Sequence, residues 1–168
     1  IIIDNKTGRI LSFVGGRDHQ LEQLNHATQA YRSNGSTMKP LLAYAPALEY
    51  GVIGAGSPVV DVKFKRDYDD YEPVNYIPTQ ELGIIPARQA VASSQNLALL
   101  RLYDSILDRR PATYLDKMGF SKLTEGDYVH LSTAIGGITH GATVEENTNA
   151  YTTFANEGKF IDAYMIER

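Results

Sequence analysis

The sequence predicts an α+β fold on three observations. A strand–turn–strand signal opens the chain, apolar residues at helical spacing recur after it, and a capping box marks the start of a last helix. At 168 residues the chain suits one domain, which at that size buries roughly 70% of its unfolded surface.

The elements follow in order. Ile1–Asp4 and Arg9–Val14 read as strands around the turn Asn5-Lys6-Thr7-Gly8, a hairpin ended by Gly15-Gly16. Its first strand is apolar at consecutive positions, the pattern of a sheet covered on both faces. Residues 17–35 are polar and irregular. Met38, Leu41, Leu42, Ala45 and Leu48 then form one helical stripe, which Gly51 ends. Pro40 fits only a first turn, because its ring crowds the carbonyl four residues back. That carbonyl belongs to Ser36, which places Ser36 at the helix edge.

Residues 51–85 show no helical period and read as a long loop around the acidic, tyrosine-rich Asp67-Tyr68-Asp69-Asp70-Tyr71-Glu72. Pro86 suits the first turn of a helix over Ala87–Ala92. After a polar break at Ser93-Ser94-Gln95-Asn96, a helix runs from Leu97 to about Leu107, and a short one lies near Ala112–Met118. Thr143 and Glu146 form the capping box of the last helix. Val144, Tyr151, Phe154 and Ala155 are its apolar face, and Gly158 its end.

Composition narrows the function classes. A net charge of −4 carries no basic footprint, so nucleic acid is excluded as an expected partner. The absence of cysteine excludes disulfides, thiol catalysis and thiolate metal sites. No apolar run approaches the ~18 residues of a membrane span, and no signal peptide opens the chain. Both ends, at Ile1-Ile2-Ile3 and within Lys159 to Ile166, read as cuts through a larger polypeptide.

Ser36-Thr37-Met38-Lys39 sets a hydroxyl and an amine three residues apart on one face of a helix start. A serine becomes a nucleophile when an adjacent base takes its proton, and lysine is such a base when burial or nearby cations depress its pKa. Backbone N–H groups at the helix head can stabilise an oxyanion. The motif alone is common, and a serine before a helix is ordinarily an N-cap. Ser94-Gln95-Asn96, in the polar break, adds a second hydroxyl and a carboxamide suited to relaying a proton and holding an amide.

S-x-x-K, S-D-N and K-T-G occur together in class A β-lactamases and penicillin-binding proteins. The sequence resembles the transpeptidase domain of the bifunctional, class A penicillin-binding proteins. The matching stretches are Thr7-Gly8-Arg9-Ile10 leading to Gly15-Gly16, Gly35-Ser36-Thr37-Met38-Lys39-Pro40, Pro73-Val74-Asn75-Tyr76, Arg88-Gln89-Ala90 before Ser94-Gln95-Asn96, and Ala150 through Gly158. The resemblance implies a β-lactamase/transpeptidase-like antiparallel sheet of five strands flanked by helices. Residues 1–168 would be the N-terminal part of that domain, carrying the first hairpin and the helical part.

The resemblance further implies that Ser36 attacks the penultimate D-alanine carbonyl of a peptidoglycan stem peptide while Lys39 accepts its proton. Ser94 would return a proton to the departing D-alanine, Asn96 would hold the substrate amide, and β-lactam antibiotics would acylate Ser36. It implies no cofactor or metal, and an extracytoplasmic site at the bacterial membrane, anchored through a part of the parent protein outside this chain. Lys6-Thr7-Gly8 spells the third motif but precedes the nucleophile in a hairpin turn, so Lys6 reads as a turn residue. The functional K-T-G strand is expected outside this chain, on a complementary chain that completes the sheet.

His19, His26, His130 and His140 lack metal-ligand spacing. The tyrosines near 68–76 fit either a groove mouth or an exposed loop. Gly136-Gly137 and Gly141 read as bounding a flexible segment with no assigned role. A D,D-carboxypeptidase or β-lactamase, and a non-catalytic β-lactam sensor or scaffold, are the alternatives. Nothing after Ser94 resembles the E-x-x-L-N deacylating loop of class A β-lactamases.

Overall fold

The N-terminal hairpin pairs strand β1 (Ile2–Ile3) antiparallel with β2 (Ile10–Ser12), setting Ile3 opposite Ile10. The structure, a computed structural model, describes residues 1–18, 20–66 and 71–166. His19 and the stretch Asp67-Tyr68-Asp69-Asp70 lie outside the described residues. Asp4 organises the turn: its Oδ1 accepts from Lys6 N at 3.0 Å, Thr7 N at 2.8 Å and Thr7 Oγ1 at 2.9 Å. Gly8 has φ +79°, and a Cβ there would stand 2.4 Å from the Asp162 carbonyl oxygen. Lys6-Thr7-Gly8 is thus a turn, as the sequence predicts.

Within this chain, the expectation that both hairpin faces are covered is not met. Ile3 and Ile10 are buried, but Ile2 is 60% and Leu11 58% exposed. Alternate residues of a strand point to opposite faces, and among the described residues only one face meets the core.

The helix after Gly35 is a composite over residues 35–49. It opens with a 3₁₀ turn, Gly35–Thr37, widens into a π turn, Pro40–Tyr44, and continues as α1 (Ala45–Glu49). Ala45 N–H donates to the Pro40 carbonyl five residues back. The wider turn shifts the helical phase, so Tyr44 and Ala47 are buried whereas Leu48, assigned to the apolar stripe by a regular period, is 50% exposed. Gly51 ends the helix as a Schellman cap: its N–H bonds Leu48 O and Val52 N–H bonds Ala47 O.

The predicted long loop holds a second hairpin. Strand β3 (Pro58–Asp61) pairs antiparallel with β4 (Gly83–Pro86), and Val59, Asp61 and Ile85 are buried. Pro86 ends β4 in extended conformation and caps α2 (Ala87–Ala92), one position earlier than expected. The polar break is shorter than predicted, since Asn96 already opens α3 (Asn96–Asp104). A 3₁₀ turn, Leu107–Arg109, and α4 (Thr113–Lys117) follow. Leu41, Leu42, Leu99, Leu100, Tyr103, Ile106 and Leu115 meet in the core between these helices.

The last helix, α5 (Val144–Ala155), begins at the predicted capping box: Glu146 N–H donates to Thr143 Oγ1 at 3.0 Å, and Thr143 N–H to Glu146 Oε2 at 2.8 Å. Its predicted apolar face is corrected. Val144 and Phe154 are about half exposed, while Asn149, Ala150 and Thr152 are buried. Asn149 belongs inside because its carboxamide pairs with the Ile161 carbonyl and the Ala163 N–H, both at 3.0 Å. No helix among the described residues is long and apolar enough to cross a membrane. Thr143→Ala should lower the stability of the complete domain by about 1 kcal/mol, read from its denaturant midpoint.

Candidate active site

Lys39 is the buried centre of a cluster contributed by two distant parts of the chain. It lies one turn into the composite helix and is only 3% exposed. Its Nζ donates to the Ser94 carbonyl at 2.6 Å, Ser94 Oγ at 3.0 Å and Asn96 Oδ1 at 2.6 Å. An ammonium has three N–H donors, and all three are used. Burial pulls the Lys39 pKa from 10.5 down to about 8, against the opposing attraction of the Asp61 carboxylate.

The α2–α3 turn aims Ser94 at that ammonium. Ser94 N–H bonds Val91 O and Gln95 N–H bonds Ala90 O, which is a Schellman cap. The residue that caps takes φ +54°, in the left-handed region where glycine is usual. A serine there carries roughly 1–2 kcal/mol of strain, and in exchange both its hydroxyl and its carbonyl reach Lys39. Sequence reasoning saw the polar break but not this backbone geometry.

Asn96 is fixed from behind. Its N–H donates to Asn75 Oδ1 at 2.8 Å, its carboxamide nitrogen donates to Val74 O at 2.9 Å, and its Oδ1 is left for Lys39. Asn75 also accepts from Leu97 N–H at 3.1 Å. Asp61, fully buried, accepts from Asn75 Nδ2 on both oxygens at 3.1 Å, from Leu82 N–H at 2.9 Å and from Ala98 N–H at 3.3 Å. The first three N–H groups of α3, normally without partners inside a helix, are thus taken up by two side chains remote in sequence. Neither Asp61 nor the role of Asn75 was read from the sequence.

Ser36 sits in the exposed 3₁₀ turn, and its hydroxyl makes no hydrogen bond among the described residues. It is not an N-cap. Nor is it hydrogen-bonded to Lys39, whose donors point to Ser94 and Asn96. The structure therefore joins Lys39, Ser94 and Asn96 and leaves the Ser36 hydroxyl free beside them on the same helix start.

The turn carrying Ser36 is clamped from the C-terminal third. Tyr151 Oη donates to the Thr37 carbonyl at 2.8 Å, and Asn34 Nδ2 to Asn147 Oδ1 at 2.8 Å. Ser33 Oγ donates to the Gly136 carbonyl at 2.6 Å. The segment bounded by Gly136-Gly137 and Gly141 is packed, not free. A Cβ on Gly136, whose φ is +92°, would lie 2.3 Å from Gly35 N, and one on Gly141 would lie 2.5 Å from the Arg32 carbonyl carbon. Arg32 and Ala142 pair backbone to backbone across this contact.

Of the described histidines, none bonds to Lys39, Ser94 or Asn96; His26 pairs with Glu22 at 3.3 Å. No group of metal-ligating side chains occurs among the described residues. Tyr76 is exposed.

A lysine buried between an S-x-x-K helix and an S-x-N turn, in an α+β frame, is the architecture of the β-lactamase-like transpeptidase class. The chain belongs to the penicillin-binding protein transpeptidase domain family, whose match spans residues 1–168. It is 35% identical over 167 residues to penicillin-binding protein 4 of Bacillus subtilis, covering 99% of this chain and 26% of that protein. It is also 35% identical over 176 residues to penicillin-binding protein 1A of Pseudomonas aeruginosa, covering all of this chain and 20% of that protein. The crystal structure of penicillin-binding protein 1A from Haemophilus influenzae superposes with TM-score 0.82 at 26% identity, over 98% of this chain and 24% of that one. The fold extends to the PonA1 protein of Mycobacterium tuberculosis in complex with penicillin V, with TM-score 0.77 at 21% identity over 96% of this chain and 44% of that one. The chain thus spans about a quarter or less of the curated relatives named.

Gly136→Ala should destabilise the complete domain by about 2 kcal/mol or more, from positive φ and collision with Gly35. Gly54, where a Cβ would meet only the Ser57 hydroxyl at 3.8 Å, an ordinary contact, is the control: Gly54→Ala should shift the thermal midpoint little.

Proposed function

We propose that this chain carries the acylation residues of a serine D,D-transpeptidase of peptidoglycan synthesis. The observation that carries the reading is Lys39: a buried amine with a pKa near 8, one helical turn from a free serine hydroxyl. At pH 8 about half of such a group is neutral, which is what a general base requires.

In the neutral amine two N–H donors and one lone pair remain, so one of the three present bonds must be released. The bond to Ser94 Oγ is the one most easily exchanged, because a hydroxyl can turn and donate. The lone pair then takes the Ser36 proton as Oγ bonds the carbonyl carbon of the penultimate D-alanine. The C–N bond to the terminal D-alanine breaks, and its nitrogen receives the proton through Ser94. Asn96 holds the substrate amide. The amine of a second stem peptide attacks the ester, forms the cross-link and returns the hydroxyl to Ser36. A β-lactam opens its ring by the same first step and stays attached.

The complete reaction needs a K-T-G strand, which we place in a complementary part of the same domain. The two-stranded β1–β2 sheet supports this, since a lone hairpin with open edges and exposed Ile2 and Leu11 is marginal by itself. The extracytoplasmic location and membrane anchorage belong to the same reading of the parent protein.

Labelled penicillin given to the complete domain should modify the Ser36 peptide alone; label elsewhere overturns the assignment. Lys39→Ala should slow that acylation by about 10²–10⁴-fold, and a near-normal rate removes Lys39 from the role. In the unmodified protein the acylation rate should rise about tenfold per pH unit below pH 8 and level off above it, because only the neutral amine accepts the proton. Turnover separates the alternatives. A thioester stem-peptide mimic with a D-amino acid acceptor yields the aminolysis product from a transpeptidase, free acid alone from a carboxypeptidase, and no turnover from a sensor.

A further inference from the structure

We infer that Asp61 and Asn75 are positioning residues of the acylation site, setting Lys39 and Asn96 through a relay that starts inside the β3–β4 hairpin. The inference rests on the transpeptidase reading and extends it to residues that touch neither substrate nor nucleophile.

The relay is continuous in hydrogen bonds. Asp61 faces inward beside Val59 because residues two apart on β3 share a face. Its two oxygens receive the Asn75 amide, leaving the Asn75 carbonyl oxygen aimed at Asn96 N–H and Leu97 N–H. Asn75 Nδ2 is also held by the Gln80 carbonyl at 2.8 Å, so its orientation is determined on both sides. The backbone of Asn96 is then fixed, and its Oδ1 stands 2.6 Å from Lys39 Nζ. A fully buried carboxylate, even one with three donor groups around it, is expensive to keep unless its charge or geometry is used. Here both act on Lys39.

The charge matters separately from the geometry. Among the described residues, Asp61 is the ionised group whose attraction opposes the effect of burial on Lys39; the helices packed on the composite helix also carry Arg101 and Asp104 in α3 and Asp116 and Lys117 in α4. Tyr44, five residues on from Lys39 in the same helix, feels the same carboxylate, and burial together with that charge pushes its phenol up. The Asp61 charge favours the protonated amine. It therefore keeps Lys39 near 8 instead of lower, and a neutral residue there moves the titration to lower pH.

The test is the pH dependence of penicillin acylation at Ser36 in the complete domain carrying Asp61→Asn. The expected result is a slower plateau rate together with a midpoint shifted down by about half a unit or more. A purely structural role lowers the rate and leaves the midpoint in place, and that result overturns the inference. Asn75→Ala keeps the charge but cuts the relay, so its plateau rate should fall about tenfold or more; a wild-type rate overturns the inference as well. Folding of the variants need not limit the test. In the unmodified domain the amides of Asn96, Leu97 and Ala98 should be protected from hydrogen exchange, and exchange at the rate of an open helix end contradicts the relay. Failure of wild-type protein to label at Ser36 would instead strike the transpeptidase reading itself.

Discussion

The structure turns on the burial of one lysine. Removing an ammonium from water costs several kcal/mol unless donors and charge are met, and Lys39 is met by three oxygens at 2.6–3.0 Å. Placing those oxygens accounts for the arrangement around them. Ser94 adopts a left-handed backbone so that its carbonyl and hydroxyl face the same nitrogen, and Asn96 occupies the first position of α3 so that its side chain reaches across. The compensation is incomplete. Burial outweighs the Asp61 attraction, and the amine is left where both its charged and neutral forms are populated near neutral pH.

Ser36 depends on a different set of contacts. Its hydroxyl is uncommitted, while the turn that bears it is held by Tyr151, Asn147 and the Gly136 backbone. The close approach of Gly136 to Gly35 tolerates no side chain. One end of the site is thus a free hydroxyl on a fixed turn, and the other a restrained amine inside a hydrogen-bonded cage. They share one helix, whose π turn at Pro40–Tyr44 begins directly after Lys39.

What the sequence made legible was local. The hairpin turn, α2, the capping box and the S-x-x-K and S-x-N motifs each follow from neighbours within a few residues. The misreadings came from distance. The β3–β4 hairpin was hidden because its strands are four residues each and separated by a long excursion. The π turn displaced the buried stripe from Leu48 to Ala47, which a regular period cannot anticipate. Asp61 was legible only as an acid in the inward register of Pro58-Val59-Val60-Asp61, and that register has meaning once the strand is known. Gly136 and Gly141 looked like flexible punctuation because the backbone they pack against lies about a hundred residues earlier. The pairing of motifs carried the family; the cage around Lys39 required the fold.

A direct titration of Lys39 tests this account most closely. With ¹³C-labelled lysine in the complete domain, the Lys39 resonance is assigned by its loss in Lys39→Arg and followed with pH. The account predicts a midpoint near 8, well below the other lysines. A midpoint at the ordinary value of about 10.4 would contradict it, because a lysine that keeps its proton cannot take one from Ser36.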